Sequence, residues 1–274
     1  GYRGRLFGIV GDDKAGSRVI EYLEDENVET SGIAIIEGRT TTVKTRMLAS
    51  RESLIQGEQL LLRWDVEGDE AIPETALEAI YDQAIANLAE VNCVILSDYG
   101  QGVIYDQGVE RITKHAKENN IPIIADPKLT GLHRTHDVDW IIFQSRGFEL
   151  MKRRIGESDD RLAAESLVKS YGWKHLVVLA GGNGVTIYSK DQETVHAPCT
   201  LSELRQIIGL IDAAVVAIAV SISSGFDVSD TALLTNAACE CILGAEATDS
   251  FSLSREDLIH RVGEIAWNLQ VSKR

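Results

Sequence analysis

Short runs of β-branched and apolar residues alternate along the chain with longer stretches in which apolar residues recur at helical spacing. The short runs predict strands buried on both faces: RLFGIV, NCVILSD, IPIIAD, DWIIF and HLVVLA. The longer stretches predict helices: AGSRVIEYLEDEN, IPETALEAIYDQAIANLAEV, YDQGVERITKHAKENN, DRLAAESLVKSYG and SREDLIHRVGEIAWNLQ. This order is typical of a mostly parallel sheet with helices on its faces, so we predict an α/β fold.

One region, from Ile33 to Val66, lacks the intervening helix. It contains two strand-like stretches, TTVKTRMLAS and QLLLRWDVE, whose alternating residues predict an antiparallel flap. Such a flap is suited to covering a ligand at the carboxyl edge of the sheet. No repeat, low-complexity tract or linker divides the chain, so we predict one domain over residues 1–274 with a small β lid at 33–66.

The composition of the chain limits the kinds of molecule that it can bind. The chain has 274 residues, 44% of them hydrophobic, which is enough for a full core, and a formal net charge of −15. This charge disfavours nucleic acid and anionic membranes as partners, because both need clustered Lys and Arg. Four scattered cysteines without a CxxC pair indicate reduced thiols, a cytoplasmic location and no structural metal site.

The stretch IIGLIDAAVVAIAVSISSG, residues 207–225, is apolar except for Asp212. It is slightly short for a membrane span and carries a carboxylate, so we predict a helix buried in a globular core. Two interpretations of Asp212 remain open. It is either a first-turn acid that complements the helix dipole, or a catalytic base beside an anion-binding helix N-terminus.

A glycine-rich segment, Ala180-Gly181-Gly182-Asn183-Gly184, follows the strand HLVVLA and precedes VTIYS. The glycines suit a nucleotide-binding loop, and Asn-Gly equally suits the type I′ turn of a plain hairpin. The segment matches neither the P-loop pattern nor the dinucleotide-binding G-x-G-x-x-G pattern.

Polar residues follow two predicted strands: Ser97-Asp98-Tyr99 after NCVIL, and Asp126-Pro127-Lys128 after IPIIA. Both segments lie where α/β sheets bind ligands, and a lysine there neutralises a phosphate, although ordinary loop polarity is the simpler alternative. His133 and His136 have a spacing found in metal sites, but their surroundings predict a loop without a metal.

Taken in order, seven segments resemble the ribokinase-like (PfkB) carbohydrate kinases, most closely the kinase domain of heptose-7-phosphate kinase/ADP-heptose synthase proteins. They are VGDDKAG, RTTTVKTR, LLRWDVEG, VILSDYGQGVI, IPIIADPK, VVLAGGNG and the Gly209–Asp212 turn. The resemblance implies a three-layer α/β/α sandwich with a β lid. It also implies ATP and Mg²⁺ as cofactors, and a sugar phosphate such as heptose 7-phosphate as substrate.

The resemblance also implies roles for individual residues. Asp212 falls on the catalytic base of the family's G-A-G-D turn, and Gly209 falls on its first glycine. Gly181, Asn183 and Gly184 fall on the nucleotide loop. The implied substrate-side residues are Lys128, Asp126, Asp98 and Arg63. The lid strands, which carry Arg63 and Asp65, often make a homodimer contact in the family.

The sequence departs from the family pattern at several positions. Ile211 replaces the second glycine of G-A-G-D and would be strained at positive φ. The N-x-x-E element on the magnesium side becomes Ser145 to Phe148, with Glu149 one position late. Leu179 replaces a threonine and Gln101 a lysine, and the family's opening segment, with G-D-x-x-x-D and G-G-A-A-N-V-A, has no counterpart.

The first hypothesis is therefore a sugar kinase, and the alternative is a catalytically degenerate kinase fold with a binding or scaffolding role. The replaced positions motivate the alternative, because phosphoryl transfer depends on positioned cations, metals and amides.

Overall fold

The structure is a computed structural model that describes residues 2–49, 59–245 and 253–272. Two compact units make up the chain. One comprises Gly1–Glu90 and Gln101–His115, and the other comprises Val91–Gly100 and Ala116–Arg274.

The first unit begins with a βαβ arrangement. Strand β1 (Arg5–Gly11) pairs in parallel with β2 (Glu29–Ile36), and helix α1 (Lys14–Asp25) connects them. Asp13 caps α1 by accepting the Gly16 N–H at 2.8 Å. The unit also contains α2 (Glu74–Ala86), and α3 (Asp106–Glu118) begins in it.

The predicted lid is antiparallel only in part. Strands β3 (Val43–Ala49) and β4 (Gln59–Val66) form a two-stranded antiparallel sheet, as predicted. Residues 33–36 were predicted in the same flap, but they lie in β2 and pair in parallel with β1. The reason is that α1 provides the crossover that a parallel pair requires. The part of the lid at residues 50–58 lies outside the described residues.

The second unit is built on a six-stranded sheet. Its strands are β5 (Val94–Ser97), β6 (Ile123–Asp126), β7 (Trp140–Gln144), β8 (His175–Leu179), β9 (Val185–Ser189) and β10 (Val195–Ala197). The spatial order is β10-β9-β8-β7-β6-β5. Strands β5 to β8 run parallel, whereas β9 and β10 each pair antiparallel with the preceding strand.

Helices cover both faces of this sheet. They are α4 (Ser145–Ile155), α5 (Asp160–Tyr171), α6 (Leu210–Ser224), α7 (Val228–Gly244) and α8 (Arg255–Ser272). On one face Ile142 and Val177 share a buried cluster with α6 and α7. Because side chains alternate along a strand, Ile141 and Leu176 point to the other face, and α4 and α5 pack against these strands.

The apolar stretch at 207–225 forms the buried helix predicted for it. Helix α6 is apolar on nearly all sides, and Ala214 and Ile218 are fully buried. No helix in the described ranges is both long and apolar enough to cross a bilayer.

Two helices and one turn were not predicted. Helix α4 starts directly after β7, and its apolar residues Phe148, Met151 and Ile155 recur at helical spacing, a usable signal that was missed. Helix α7 starts at the cap Asp227, but its NAACECILG half is too uniformly apolar to show a periodicity. Residues 129–135 form a 3₁₀ helix rather than the predicted loop.

Candidate active site

The two polar segments predicted at the sheet edge lie side by side. Ser97, the last residue of β5, pairs with Asp126, the last residue of β6, and the Asp98 N–H donates to the Asp126 carbonyl oxygen at 2.9 Å. The ends of parallel strands meet at one edge of a sheet, which is where α/β folds bind ligands. Residues 97–99 and 126–128 therefore form one polar surface.

Asp212 belongs to this surface. It lies in the first turn of α6, and its Oδ1 accepts a hydrogen bond from the Tyr99 hydroxyl at 3.3 Å. The Lys128 Nζ lies 5.8 Å from the centroid of the Tyr99 ring, a cation–π contact. Tyr99 thus contacts the predicted base through its hydroxyl and the predicted phosphate-side cation through its ring.

The carboxylates of this surface influence one another. The pKa of Asp126 is raised to about 6, first by burial and then by the negative charge of Asp212, with a smaller contribution from Asp98, while Lys128 opposes the shift. The pKa of Tyr99 is also raised, mainly by burial and by the charge of Asp212. Lys128 is thus the cation that offsets the negative charge gathered at this edge.

The turn before α6 has the geometry of an anion site. Gly209 caps the helix with φ of 83°, a left-handed conformation that favours glycine. Ile211 lies inside α6 and is not among the residues at positive φ, so the strain expected there does not arise. The N–H groups of a first helical turn have no intrahelical acceptor and attract anions, and this turn also carries Asp212.

Asp98 has its carboxylate engaged by protein groups. The side chain is 5% exposed, its Oδ1 accepts the Gly100 N–H at 2.8 Å, and its Oδ2 accepts from Arg134 at 3.2 Å. These bonds fix the loop that carries Tyr99. The substrate contact of Asp98 stays a prediction.

The glycine-rich segment forms the connection of a hairpin. Strands β8 and β9 are antiparallel, and residues 181–183 form a 3₁₀ turn between them, so the hairpin is confirmed but the two-residue type I′ turn is not. Gly184 is required by packing, since a Cβ there would lie 2.1 Å from the Ala197 carbonyl oxygen. Gly181, with φ of 55°, has nothing within 4 Å of its Cβ position, so a ligand has room to approach it.

The model of the family described as "pfkB family carbohydrate kinase" matches residues 1–255. The chain belongs to this family.

Curated pfkB relatives include the proteins described as "Bifunctional protein HldE". The one from Sulfurimonas denitrificans is 25% identical over 250 residues, covering 90% of this chain and 50% of the relative. The one from Koribacter versatilis is 28% identical over 229 residues, covering 83% and 45%. The chain thus spans about half the length of the curated relatives it matches.

Solved structures show the same fold. Phosphofructokinase-2 from Escherichia coli in complex with fructose-6-phosphate has a TM-score of 0.74 at 16% identity, covering 97% of this chain and 83% of that one. Ribokinase from Thermotoga maritima has a TM-score of 0.72 at 19% identity, covering 94% and 81%. The predicted ribokinase-like α/β fold is confirmed.

The pfkB kinases in general use ATP and a divalent metal. The positions that resemble the family's N-x-x-E element do not fit direct metal ligation. Ser145 Oγ donates to the Leu179 carbonyl oxygen at 3.2 Å, Phe148 is buried against Tyr188, and Glu149 pairs with Lys152 at 2.9 Å. Mg²⁺ prefers carboxylate oxygens, and this helix offers none at the family position.

A cation site built from protein ligands alone is also absent from the part of the chain that the structure describes. This part contains no group of three or more His, Cys, Asp or Glu arranged around a cation position. His136 instead stacks on Tyr171, with ring centroids 4.8 Å apart.

Arg63 and Gln101 lie in the first unit. Arg63 makes a two-pronged ion pair with Asp65, with Nε to Oδ1 at 2.8 Å, and this pair lowers the pKa of Asp65. Gln101 hydrogen-bonds to Glu67, whose pKa is lowered by Lys44 first and by Gln101 second. The predicted substrate contact of Arg63 therefore competes with Asp65.

Tyr99 and Arg134 were missed as individual site residues. The position of Tyr99 directly after a strand end was a usable signal. No sequence signal indicated the hydrogen bond between Arg134 and Asp98, because this bond depends on how the 3₁₀ helix at residues 129–135 folds.

Proposed function

We propose that the chain is an active sugar kinase that moves the γ-phosphoryl group of ATP onto a hydroxyl of a sugar phosphate. Heptose 7-phosphate is the first candidate, as the sequence resemblance implies. The observation that carries the proposal is the first turn of α6. Asp212 lies there three residues after the left-handed Gly209, and its carboxylate accepts a hydrogen bond from the Tyr99 hydroxyl.

Asp212 is suited to act as the general base. Tyr99 occupies its Oδ1, which leaves Oδ2 to accept the proton of the attacking sugar hydroxyl. The side chain of Asp212 is exposed, so a substrate can reach it. The hydroxyl oxygen then forms the new P–O bond as the bond to the leaving ADP oxygen breaks.

The backbone of the same turn stabilises the transferred group. First-turn N–H groups and the helix dipole favour the negative charge on the phosphoryl oxygens, and Lys128 adds a full positive charge at the same edge. Gly181 gives the phosphates of ATP room beside the β8–β9 turn. No step is assigned to a metal, since the residues at the family's metal-side positions do not fit one.

A second function, nucleotide or sugar binding without transfer, is favoured by one observation. Phe148 occupies the position of the family's glutamate, and it is 3% exposed in a packed apolar site. A buried phenylalanine supplies no charge to a transition state.

The test is ADP release from Mg-ATP with a panel of sugar phosphates. We expect sugar-dependent release from the wild-type protein, and a loss of about 10²–10⁴-fold in kcat for Asp212→Asn, because proton transfer by a positioned side chain contributes that much. The matched control is Asp230→Asn, since Asp230 is also an exposed first-turn acid, in α7. It should keep wild-type turnover.

Near-normal turnover by Asp212→Asn would contradict the proposed base. If the folded wild-type protein binds ATP but releases no ADP with any sugar phosphate, the second function replaces the first.

A further inference from the structure

The segment between β10 and α6, residues 198–209, contains no helix or strand, yet it ends at the Gly209 turn. Its position must therefore be set by contacts with other elements. The described contacts connect it to the C-terminal half of α7.

The side chain of Gln206 makes one of these contacts and a second one within the segment. Its Nε2 donates to the Ile242 carbonyl oxygen at 2.9 Å, and its Oε1 accepts the Ile208 N–H at 2.9 Å. Ile242 lies in the last turn of α7, and its carbonyl oxygen also accepts the N–H of the cap residue Ala245 at 3.3 Å. The next residue in that turn, Leu243, accepts the Arg205 N–H at 2.8 Å.

A second connection lies farther from the turn. Glu240, whose side chain is fully buried, accepts the Thr200 N–H at 2.6 Å and the Thr200 hydroxyl at 3.0 Å. Arg261 of α8 pairs with the same carboxylate, its Nε to Oε2 distance being 2.6 Å. A buried carboxylate with this many donors is a rigid anchor. The start of the segment is thus fixed independently of Gln206.

Gln206 is therefore the contact nearest to the phosphoryl-binding turn, because Ile208 directly precedes Gly209. An amide side chain is suited to this bridge, since it offers a donor to a helix C-terminal carbonyl and an acceptor to a backbone N–H. Neither a carboxylate nor an apolar side chain makes both bonds.

We infer that Gln206 is a positioning residue for the reaction. By joining Ile208 to the end of α7, it sets where Gly209 turns and where the first-turn N–H groups and Asp212 point. The inference rests on the proposed kinase function. Catalytic groups displaced by about 1 Å can cost as much as ~10²-fold in rate, so a shift of this turn should appear in kcat.

Two variants and a control test the inference. Gln206→Met keeps the volume of the side chain and removes both hydrogen bonds, whereas Gln206→Glu keeps the acceptor for Ile208. Gln192→Met changes an exposed glutamine in the β9–β10 connection and serves as the control. Each variant is assayed for kcat and KM, and hydrogen exchange is measured for a peptide covering residues 207–211.

We expect Gln206→Met to lower kcat about ten-fold, with KM for both substrates within about two-fold. Gln206→Glu should fall between it and the wild type. Hydrogen exchange over residues 207–211 should be about five-fold faster in Gln206→Met, because the Ile208 N–H loses one hydrogen bond of ordinary strength. Gln192→Met should change neither quantity.

Unchanged exchange in Gln206→Met would overturn the inference. So would faster exchange with an unchanged kcat, which would show a role in stability alone. If the wild-type protein has no turnover, the proposed function has failed. The exchange measurement then still decides whether Gln206 holds the turn.

Discussion

At the scale of single residues, Tyr99 allows the orientation of the proposed base to be tested while Asp212 itself stays in place. Its hydroxyl is bonded to Asp212, while its ring contacts Lys128. Tyr99→Phe keeps the ring and removes the hydroxyl, and with it the bond to the Asp212 carboxylate and the hydrogen bond with Ser97. We expect kcat to fall about ten-fold while KM for the sugar stays within about two-fold, since the effect is on the positioning of the base.

Steady-state kinetics beside Tyr22→Phe checks this expectation, because Tyr22 is a 62% exposed tyrosine on α1. An unchanged kcat in Tyr99→Phe would show that Asp212 needs no orienting partner.

The sequence alone predicts which residues gather at the sheet edge, but not which of them stay available. Asp98 and Asp126 each follow a strand run, so their place was predictable. The bond that engages Asp98 was not predictable, because Arg134 donates it from a turn 36 residues later in the chain. The same limit applies to Ile211, whose ordinary helical backbone is possible because Gly209 takes the left-handed position.

At the scale of elements, the pairing of β7 with β8 makes stability depend on pH. His175 on β8 lies opposite Trp140 on β7, and their rings stack with centroids 4.0 Å apart. Burial lowers the pKa of His175 from 6.5 to about 4, with Asp139 opposing the shift and Lys174 adding to it. The unfolded chain therefore takes up a proton first, and stability falls as the pH drops from about 6.5 towards 4.

His175→Gln cannot titrate, and we expect it to reduce the loss of unfolding free energy between about pH 7 and about pH 5 by about 2 kcal/mol. Urea unfolding at both pH values, beside His260→Gln at an exposed site on α8, measures the difference. Equal losses in the wild-type and His175→Gln proteins would mean that His175 titrates normally in the folded state.

Elements were predictable where the pattern was unambiguous. All five predicted strand runs became strands, because each is a short β-branched run with turn residues around it. Helices α4 and α7 were missed for different reasons. The apolar residues of α4 do recur at helical spacing, so this signal was overlooked, whereas α7 is too uniformly apolar for a periodicity to appear.

At the scale of the whole molecule, the β3–β4 sheet exposes an apolar surface. Leu60, Leu61, Leu62 and Trp64 are between 50% and 65% exposed. Contiguous apolar surface of this kind marks interfaces, and we propose that a second copy of the chain covers it. Trp64→Glu should weaken the dimer at least about ten-fold, because an aromatic anchor often carries much of the binding energy.

Sedimentation equilibrium measures the dissociation constant of the dimer, with Tyr22→Glu as a control at an equally exposed residue. A wild-type protein that stays monomeric at micromolar concentration would refute the homodimer.

The bond between Tyr99 and Asp212 joins residues 113 positions apart. Strands β6 to β10 lie between these two residues in the chain, so the contact closes a loop that contains most of the six-stranded sheet. Closing a loop of this length costs conformational entropy, and contacts of long sequence separation slow folding. We therefore expect the bond between Tyr99 and Asp212 to form later in folding than local contacts such as the β8–β9 hairpin.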